Sequence, residues 1–246
     1  MPTTTLYGAR ENGSGYIAQA DNSDYLMELT ANYTKQFGDH NLNALVGHSY
    51  QLFDYEFLSG KSNDFITDGF LYNNLGAGNA KRPTVGSSAT KSRMASFFGR
   101  LNYTFKDRYL LTATLRADGS SNFASGERWG FFPSVSLGWV MSEEDFFKDA
   151  LPKIDYFKLR GSFGILGSDN VSAFLYRKSY SYTNNGVVFG STPNTQGTLS
   201  NTVAYPNERL TWEKTKSYNL GFDLSAWNGL LGVEFDVFYK YTYDIL

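Results

Sequence analysis

The sequence predicts an all-β, antiparallel fold in which each strand has one apolar and one polar side. Three observations predict it. Apolar and polar residues alternate with period two over segments of roughly ten residues, and because successive side chains on a strand point to opposite faces, each segment has a single apolar face. Connections between segments are short at one set of ends and long, rich in Gly, Ser and Asn, at the other. The composition also suits strands and tight turns: among 246 residues there are 20 Phe, 18 Tyr and 24 Gly, while charged residues are only 19%, against about 25% in ordinary soluble domains.

The elements follow in order. Tyr25, Met27, Leu29, Ala31 and Tyr33 alternate with Glu28, Thr30, Asn32 and Thr34. After Gly38-Asp39-His40 a return strand is expected over about 41–57. Phe97, Gly99, Leu101, Tyr103 and Phe105 then oppose Phe98, Arg100, Asn102 and Thr104. Across Lys106-Asp107-Arg108, a connection of hairpin length, Tyr109, Leu111, Ala113, Leu115 and Ala117 oppose Thr112, Thr114, Arg116 and Asp118. The same alternation places Phe131, Val135, Leu137 and Trp139 against Ser134, Ser136 and Gly138, and Phe157, Leu159, Phe163 and Ile165 against Lys158, Arg160, Ser162 and Gly164. Two weaker strands are read near 174–183 and 186–190. Finally, Tyr218, Leu220, Phe222 and Leu224 form one side of a strand, and beyond Trp227-Asn228-Gly229 the residues Leu231, Val233, Phe235, Val237, Tyr239 and Tyr241 oppose Gly232, Glu234, Asp236 and Lys240. The total is about ten strands, with long loops at 60–91, 118–129, 166–173 and 191–209. One short connection reads as helical: Ser142 as N-cap with Asp145 at the third position, acids in the first turn, and Pro152 as the stop.

Charge and motifs exclude several functions. The net charge of −2 and pI near 5.7 argue against a nucleic-acid binder driven by phosphate neutralisation. No apolar run approaches the ~18 residues of a membrane helix, although a membrane β-barrel needs none, since only alternate residues meet lipid. The absence of Cys removes disulfides, thiolate metal sites and Cys nucleophiles. His40 falls in a polar turn and His48 on an apolar face, so no shared metal site is expected. No nucleophile-elbow, Walker or zincin pattern occurs. Gly76-Ala77-Gly78-Asn79-Ala80-Lys81 lacks the strand–helix context of a phosphate loop, and Asp64 and Asp68-Gly69 would need three or more further oxygens to ligate a calcium ion. Asp118, Glu127, Glu143 and Glu144 read as loop and turn charges rather than an acid–base pair. No enzymatic activity, cofactor or metal is expected.

Two architectures fit the alternation. In a soluble β-sandwich the apolar faces meet each other; in a membrane barrel they meet lipid and the polar faces line the lumen. The barrel is favoured by mid-strand charges on the polar faces and by aromatics such as Tyr103, Phe105, Tyr109 and Trp227 crowding the strand ends, as interfacial girdles do. The asymmetry of connections also matches short periplasmic turns and long extracellular loops. Arg100, Asn102, Arg116, Lys158, Arg160, Glu234 and Asp236 then face the lumen. In the first long loop, Phe70, Tyr72, Asn73 and Asn74 combine aromatic and amide groups that stack on and hydrogen-bond sugars or peptides, the same chemistry that packs loop on loop.

Longer motifs carry a resemblance. The run from Ser96-Phe97-Phe98-Gly99-Arg100-Leu101-Asn102-Tyr103 through Leu115-Arg116-Ala117-Asp118-Gly119-Ser120-Ser121 resembles the barrel of SusC/RagA-type TonB-dependent outer-membrane transporters. So do Arg128-Trp129-Gly130-Phe131-Phe132-Pro133-Ser134, Leu159-Arg160-Gly161-Ser162-Phe163-Gly164, Gly167-Ser168-Asp169-Asn170, and Asn207 to Leu246 with Leu210-Thr211-Trp212-Glu213-Lys214-Thr215. The resemblance covers roughly 24–246 and implies import of oligosaccharides or peptides across the outer membrane, powered by TonB and capped by a SusD-like surface lipoprotein. A plug would fill the lumen and hydrogen-bond the polar-face charges, which otherwise form a water-facing wall. Family members carry a signal peptide, an N-terminal carboxypeptidase-regulatory-like domain, a TonB box and a plug, none of which is read in this sequence. Without a signal segment at Met1–Leu6 the chain taken literally would stay in the cytoplasm, and Tyr241–Leu246 stops inside a strand. About ten strands against the family's roughly 22 make 1–246 a slice of under half a barrel. Alternatives are a self-contained ten-stranded barrel, passive pore or protease, and a soluble β-sandwich binding module.

Overall fold

A computed structural model describes residues 2–71, 73–79, 83–183, 199–204 and 206–245, with backbone alone for 179–183 and 199–204. Ten strands are present among them: β1 Ser14–Phe37, β2 His40–Asn63, β3 Thr84–Phe105, β4 Tyr109–Ser120, β5 Trp129–Val140, β6 Ile154–Ser168, β7 Ser179–Thr183, β8 Leu199–Ala204, β9 Glu213–Ala226 and β10 Leu231–Tyr243. Two short helices, α1 Leu6–Arg10 and α2 Asp145–Ala150, accompany them. Eight strands form one sheet in the order β1-β2-β3-β4-β5-β6-β9-β10, and β7 and β8 pair separately. The expected all-β antiparallel fold is therefore present, as an open sheet with β1 and β10 at its ends.

Compactness divides the chain into two units, Met1–Tyr25 with Gln51–Ser92, and Leu26–Tyr50 with Arg93–Leu246. In the first, α1 is capped by Thr5, whose hydroxyl accepts from Gly8 N at 3.0 Å. Asp68 accepts from both the backbone N and the hydroxyl of Thr3, Lys61 pairs with Glu11 at 3.0 Å, and Phe65 is buried.

The second unit contains the register that decides the faces. Directly opposed residues share a face of the sheet. Leu101, Ala113, Val135, Phe163, Tyr218 and Tyr239 lie opposite one another in one continuous row across β3, β4, β5, β6, β9 and β10. One residue along, Asn102, Thr112, Ser136, Ser162, Asn219 and Phe238 form the adjacent row on the other face, polar except for Phe238. The apolar face is uncovered: Leu137 is 60% and Leu220 67% exposed. A soluble sandwich would bury those residues against a second sheet, so the exposure favours the barrel wall.

Toward the short turns the apolar face ends in an aromatic row. Phe105, Tyr109, Trp139, Leu159, Phe222 and Phe235 are successive partners, with Tyr109 and Trp139 rings stacked at 6.5 Å and Phe222 and Phe235 at 5.6 Å. Aromatic rings in one band, with the amphipathic Tyr109 and Trp139 among them, are the girdle chemistry expected from the sequence.

Several expectations are corrected. β2 runs on to Asn63 and β3 begins at Thr84, so the loop expected at 60–91 is shorter and holds 3₁₀ turns at Asp68–Phe70 and Leu75–Ala77. The strand ends are mostly polar on both sides; with neither face needing to be apolar, periodicity fades while the backbone ladder continues. β1 likewise starts at Ser14, well before Tyr25. Of the two weaker strands, the first is confined to β7, after a turn in which Arg177 N donates to Phe174 O. The second, at 186–190, lies outside the described residues. A strand instead occupies Leu199–Ala204, inside the expected loop 191–209.

The helical connection after β5 also differs. Met141–Glu143 is a 3₁₀ turn and α2 begins at Asp145 with Glu144 at its cap position, without a side-chain cap. Ser142 lies within the 3₁₀ turn, buried, its hydroxyl unpartnered among the described residues. The reason lies in Glu144, whose carboxylate is turned to the sheet. It accepts from Arg108 Nη1 at 2.9 Å, the Tyr109 hydroxyl at 2.6 Å and Trp139 Nε1 at 3.2 Å, which ties the connection to the girdle. These hydrogen bonds, Tyr109 first and then Trp139, together with the Arg108 guanidinium, hold the Glu144 carboxyl below its ordinary range against the opposing effect of desolvation. A carboxyl lowered on folding stabilises the fold above its unfolded pKa, and that contribution is lost as pH falls through the folded one. Hydrogen exchange over 141–151, corrected for intrinsic rates, is expected to accelerate on acidification below the carboxylate range. Glu144→Gln should bring the faster exchange to neutral pH and remove most of the pH dependence; equal behaviour of the two proteins would refute the tie.

Candidate functional site

The polar face of the second unit gathers the charges singled out in the sequence. By register, Arg100, Asn102, Arg116, Lys158, Arg160, Glu234 and Asp236 all fall on one face of the sheet. Two groups of them are tied into networks. Arg160 on β6 spans two strands: Nε meets Asp223 Oδ1 on β9 at 2.9 Å and Nη2 meets Asp236 Oδ2 on β10 at 2.7 Å. Gly221, opposite both Arg160 and Asp236, makes room for this reach. A Cβ there would stand 2.5 Å from Asp236 Oδ1 and 2.6 Å from Phe235 O. Two carboxylates on one guanidinium raise the pair-forming power of each hydrogen bond above that of neutral partners.

Nearer the long loops, Arg116 donates through Nε to both oxygens of Asp118 at 2.7 and 2.8 Å and through Nη2 to Ser96 Oγ at 2.9 Å. Its guanidinium lies 5.5 Å from the Phe98 ring centroid. Asn102 links strands more modestly, accepting from Thr112 Oγ1 at 3.0 Å and donating to Asn43 Oδ1 at 3.5 Å. Arg100, Lys158 and Glu234 have no ion-pair partner among the described residues. Asp223, Asp118 and Ser96, which complete the two arginine networks, were not marked as site residues by the sequence reading. The available signal was parity: all three alternate in step with the arginines.

At the long-loop end of the same face sits a small buried core. Phe123, Phe132, Leu210 and Trp212 pack together, with Met94, Ile165 and Val171 around them. Trp212 is 5.3 Å from Phe123 and 5.2 Å from Phe132 between ring centroids, and its Nε1 donates to Arg128 O at 2.8 Å. Gly167 stands where a Cβ would run into the Phe132 ring. Ser120 Oγ donates to Asp169 Oδ2 at 2.7 Å, joining the loops that follow β4 and β6. These connections, read as open loops in the sequence, are thus folded against the wall.

Of the loop residues expected to meet ligand, Phe70 closes the 3₁₀ turn of the first unit and is 49% exposed. Asn73 N donates to Phe70 O at 3.0 Å, and Asn73 and Asn74 are exposed. Tyr72 lies outside the described residues. The two histidines have separate structural partners: His40 Nδ1 is 2.6 Å from the Tyr103 hydroxyl, and His48 Nδ1 is 2.9 Å from Ser96 O while its ring stacks on Phe97.

An open sheet with an exposed apolar face, an aromatic girdle and a charged opposite face defines a membrane-barrel wall. Comparison with known proteins gives it a family. Residues 3–246 match the family model described as TonB dependent receptor-like, beta-barrel, and the chain belongs to that family, whose members are outer-membrane transporters rather than enzymes. It is similar to the TonB-dependent receptor SusC of Bacteroides thetaiotaomicron, 35% identical over 250 residues, covering 99% of this chain and 24% of that protein. TonB-dependent receptor P3 of Formosa agariphila is 33% identical over 245 residues, covering 100% of this chain and 24% of its own. Among solved structures, the RagAB peptide transporter matches with a TM-score of 0.81 at 24% identity, over 94% of this chain and 25% of that one. The chain thus spans about a quarter of the length of these relatives, and the SusC/RagA resemblance read from its motifs holds.

Proposed function

We propose that the full-length protein carrying this chain is a TonB-dependent transporter that imports oligosaccharides or peptides across the outer membrane. In this reading 1–246 is wall from a larger barrel of about 22 strands, with β1 and β10 pairing to neighbours, because unpaired strand edges cannot be satisfied in lipid. The carrying observation is the segregation of rows across β3, β4, β5, β6, β9 and β10: an exposed apolar face ending in an aromatic band, and behind it a face of linked arginines and carboxylates. The apolar face meets lipid. The polar face meets a plug, with Arg100, Lys158 and Glu234 as the charges left open to it. A SusD-like lipoprotein caps the long-loop side, and Phe70, Tyr72, Asn73 and Asn74 take part in capture of substrate or docking of that lid. The likeness to a peptide transporter supports a peptide as one of the two substrate classes.

Moving solute past a plug requires work that the wall itself does not supply. Uptake by the full-length protein is therefore expected to disappear when TonB is deleted, while surface binding persists; undiminished uptake would favour a passive pore. Deleting 66–80 is expected to weaken capture or lid docking and leave barrel assembly intact, because long outer loops tolerate change better than strands. Loss of assembled barrel from the outer membrane would overturn that placement.

A further inference from the structure

Gly99 and Gly161 both leave gaps in the apolar face, and Gly161 is the nearer to the aromatic band. In the row Tyr103, Leu111, Leu137, Gly161, Leu220 and Val237, Gly161 contributes no side chain. Neither backbone nor packing demands a glycine there. Its φ is not in the left-handed region, and a Cβ would meet nothing closer than Leu220 Cδ1 at 3.8 Å and Asn219 O at 3.9 Å. Gly161 lies in the floor of a shallow, open groove of about 570 Å³ bordered by Leu137, Leu159 and Leu220, with Tyr109 and Trp139 at its short-turn end. Those two rings are held at their polar atoms, since both donate to Glu144.

We propose that this groove is a seat for one acyl chain of a phospholipid in the periplasmic leaflet. The inference rests on the lipid-facing reading proposed above and adds a specific site to it. Depth selects the acyl chain rather than the headgroup. Leu159 stands in the aromatic row and Gly161 two residues beyond it, which at about 3.3 Å per residue along the strand is about 7 Å farther from the short turns. Tyr and Trp rings of a girdle lie at headgroup level, so the groove opens in hydrocarbon. The leaflet follows from the same end: short turns belong to the periplasmic side of outer-membrane barrels. The lining offers a chain only dispersion and shape. A flexible methylene chain can follow the groove and make those dispersion contacts along it.

The test uses the full-length transporter in nanodiscs containing phosphatidylethanolamine with a photoactivatable diazirine in one acyl chain, followed by mass spectrometry of the labelled peptides. Leu137, Leu159 and Leu220 are expected to be labelled several-fold above Leu115 and Phe131, which lie on the same face nearer the long loops. Gly161→Leu fills the groove and should bring those three residues down to the level of the rest. Gly161→Ala, which places one methyl in ordinary van der Waals contact, should give a partial loss in a protein that folds as before. Uniform labelling of the whole apolar face, unchanged in both variants, overturns the seat while leaving the lipid-facing reading intact. Absence of label from Leu115 and Phe131 as well as from the groove overturns the reading of the face itself.

Discussion

Leu101→Arg in the full-length barrel is expected to lower the free energy of unfolding by about 2–4 kcal/mol, the cost of a cation on a lipid face near the bilayer midplane. Leu101 belongs to the row that runs through Ala113, Val135, Phe163 and Tyr218, well inside the aromatic band at Phe105, Tyr109 and Trp139. Ala113, opposite it on β4, offers no acid to the new charge. Asn102→Arg is the matched control, because one step along the strand turns the side chain to the opposite face. There it loses the bond from Thr112 Oγ1 and the longer one to Asn43, which at roughly 1 kcal/mol for an ordinary hydrogen bond is a smaller penalty. Equilibrium unfolding in denaturant, on protein refolded into lipid vesicles, measures both. Equal losses, or the reverse order, would mean that the two faces are assigned the wrong way round.

Trp212→Ala is expected to cost about 3–5 kcal/mol, the range for emptying a buried large aromatic site. The indole is 2% exposed, stands against Phe123 and Phe132, and satisfies Arg128 O through Nε1. Removing it leaves a cavity and takes away one of the two hydrogen bonds that Arg128 O accepts, the other coming from Ser120 N. The loss should be local as well as global: amides over 121–128 and 206–212 are expected to exchange faster while those of β4 and β5 near the short turns stay protected. Gly167→Val should reproduce the effect from the other side, since its side chain needs the volume of the Phe132 ring. If Trp212→Ala leaves exchange over 121–128 unchanged, the aromatic group does not hold these connections to the wall.

Much of this molecule was legible as a line of letters, and what was legible has a single physical source. Between the girdle and the long loops one face of the wall has to be apolar, so the strands there alternate: Leu101 against Asn102, Val135 against Ser136, Phe163 against Ser162. Period two survives in the sequence because it is local. That alternation sufficed for the all-β class, for the parity of Arg100, Arg116, Lys158, Arg160, Glu234 and Asp236, and for the aromatic ends. The family motifs could be recognised on the same stretches, although the individual substrate could not.

Where the environment stops imposing that alternation, the sequence falls silent. β1 begins at Ser14 and β3 at Thr84 in stretches with weak or mixed patterning, where the ladder is held by backbone hydrogen bonds that no side-chain pattern records. Which strand lies beside which is not local either. β6 pairs with β9 although β7 and β8 intervene in the chain, and only that pairing brings Asp223 to Arg160 and, through β10, Asp236 to the same guanidinium. Ser142 was a sound cap for an isolated helix, but Tyr109 and Trp139, neighbours across the β4–β5 register, draw Glu144 to the sheet and move the helix start. Phe132 falls on the polar face by parity, and Phe123 and Trp212, from distant connections, bury it there. Sequence alone determined which face each side chain takes, because that depends on the next residue along a strand; the tertiary structure decided which charges and rings meet, because that depends on strands far apart in the chain.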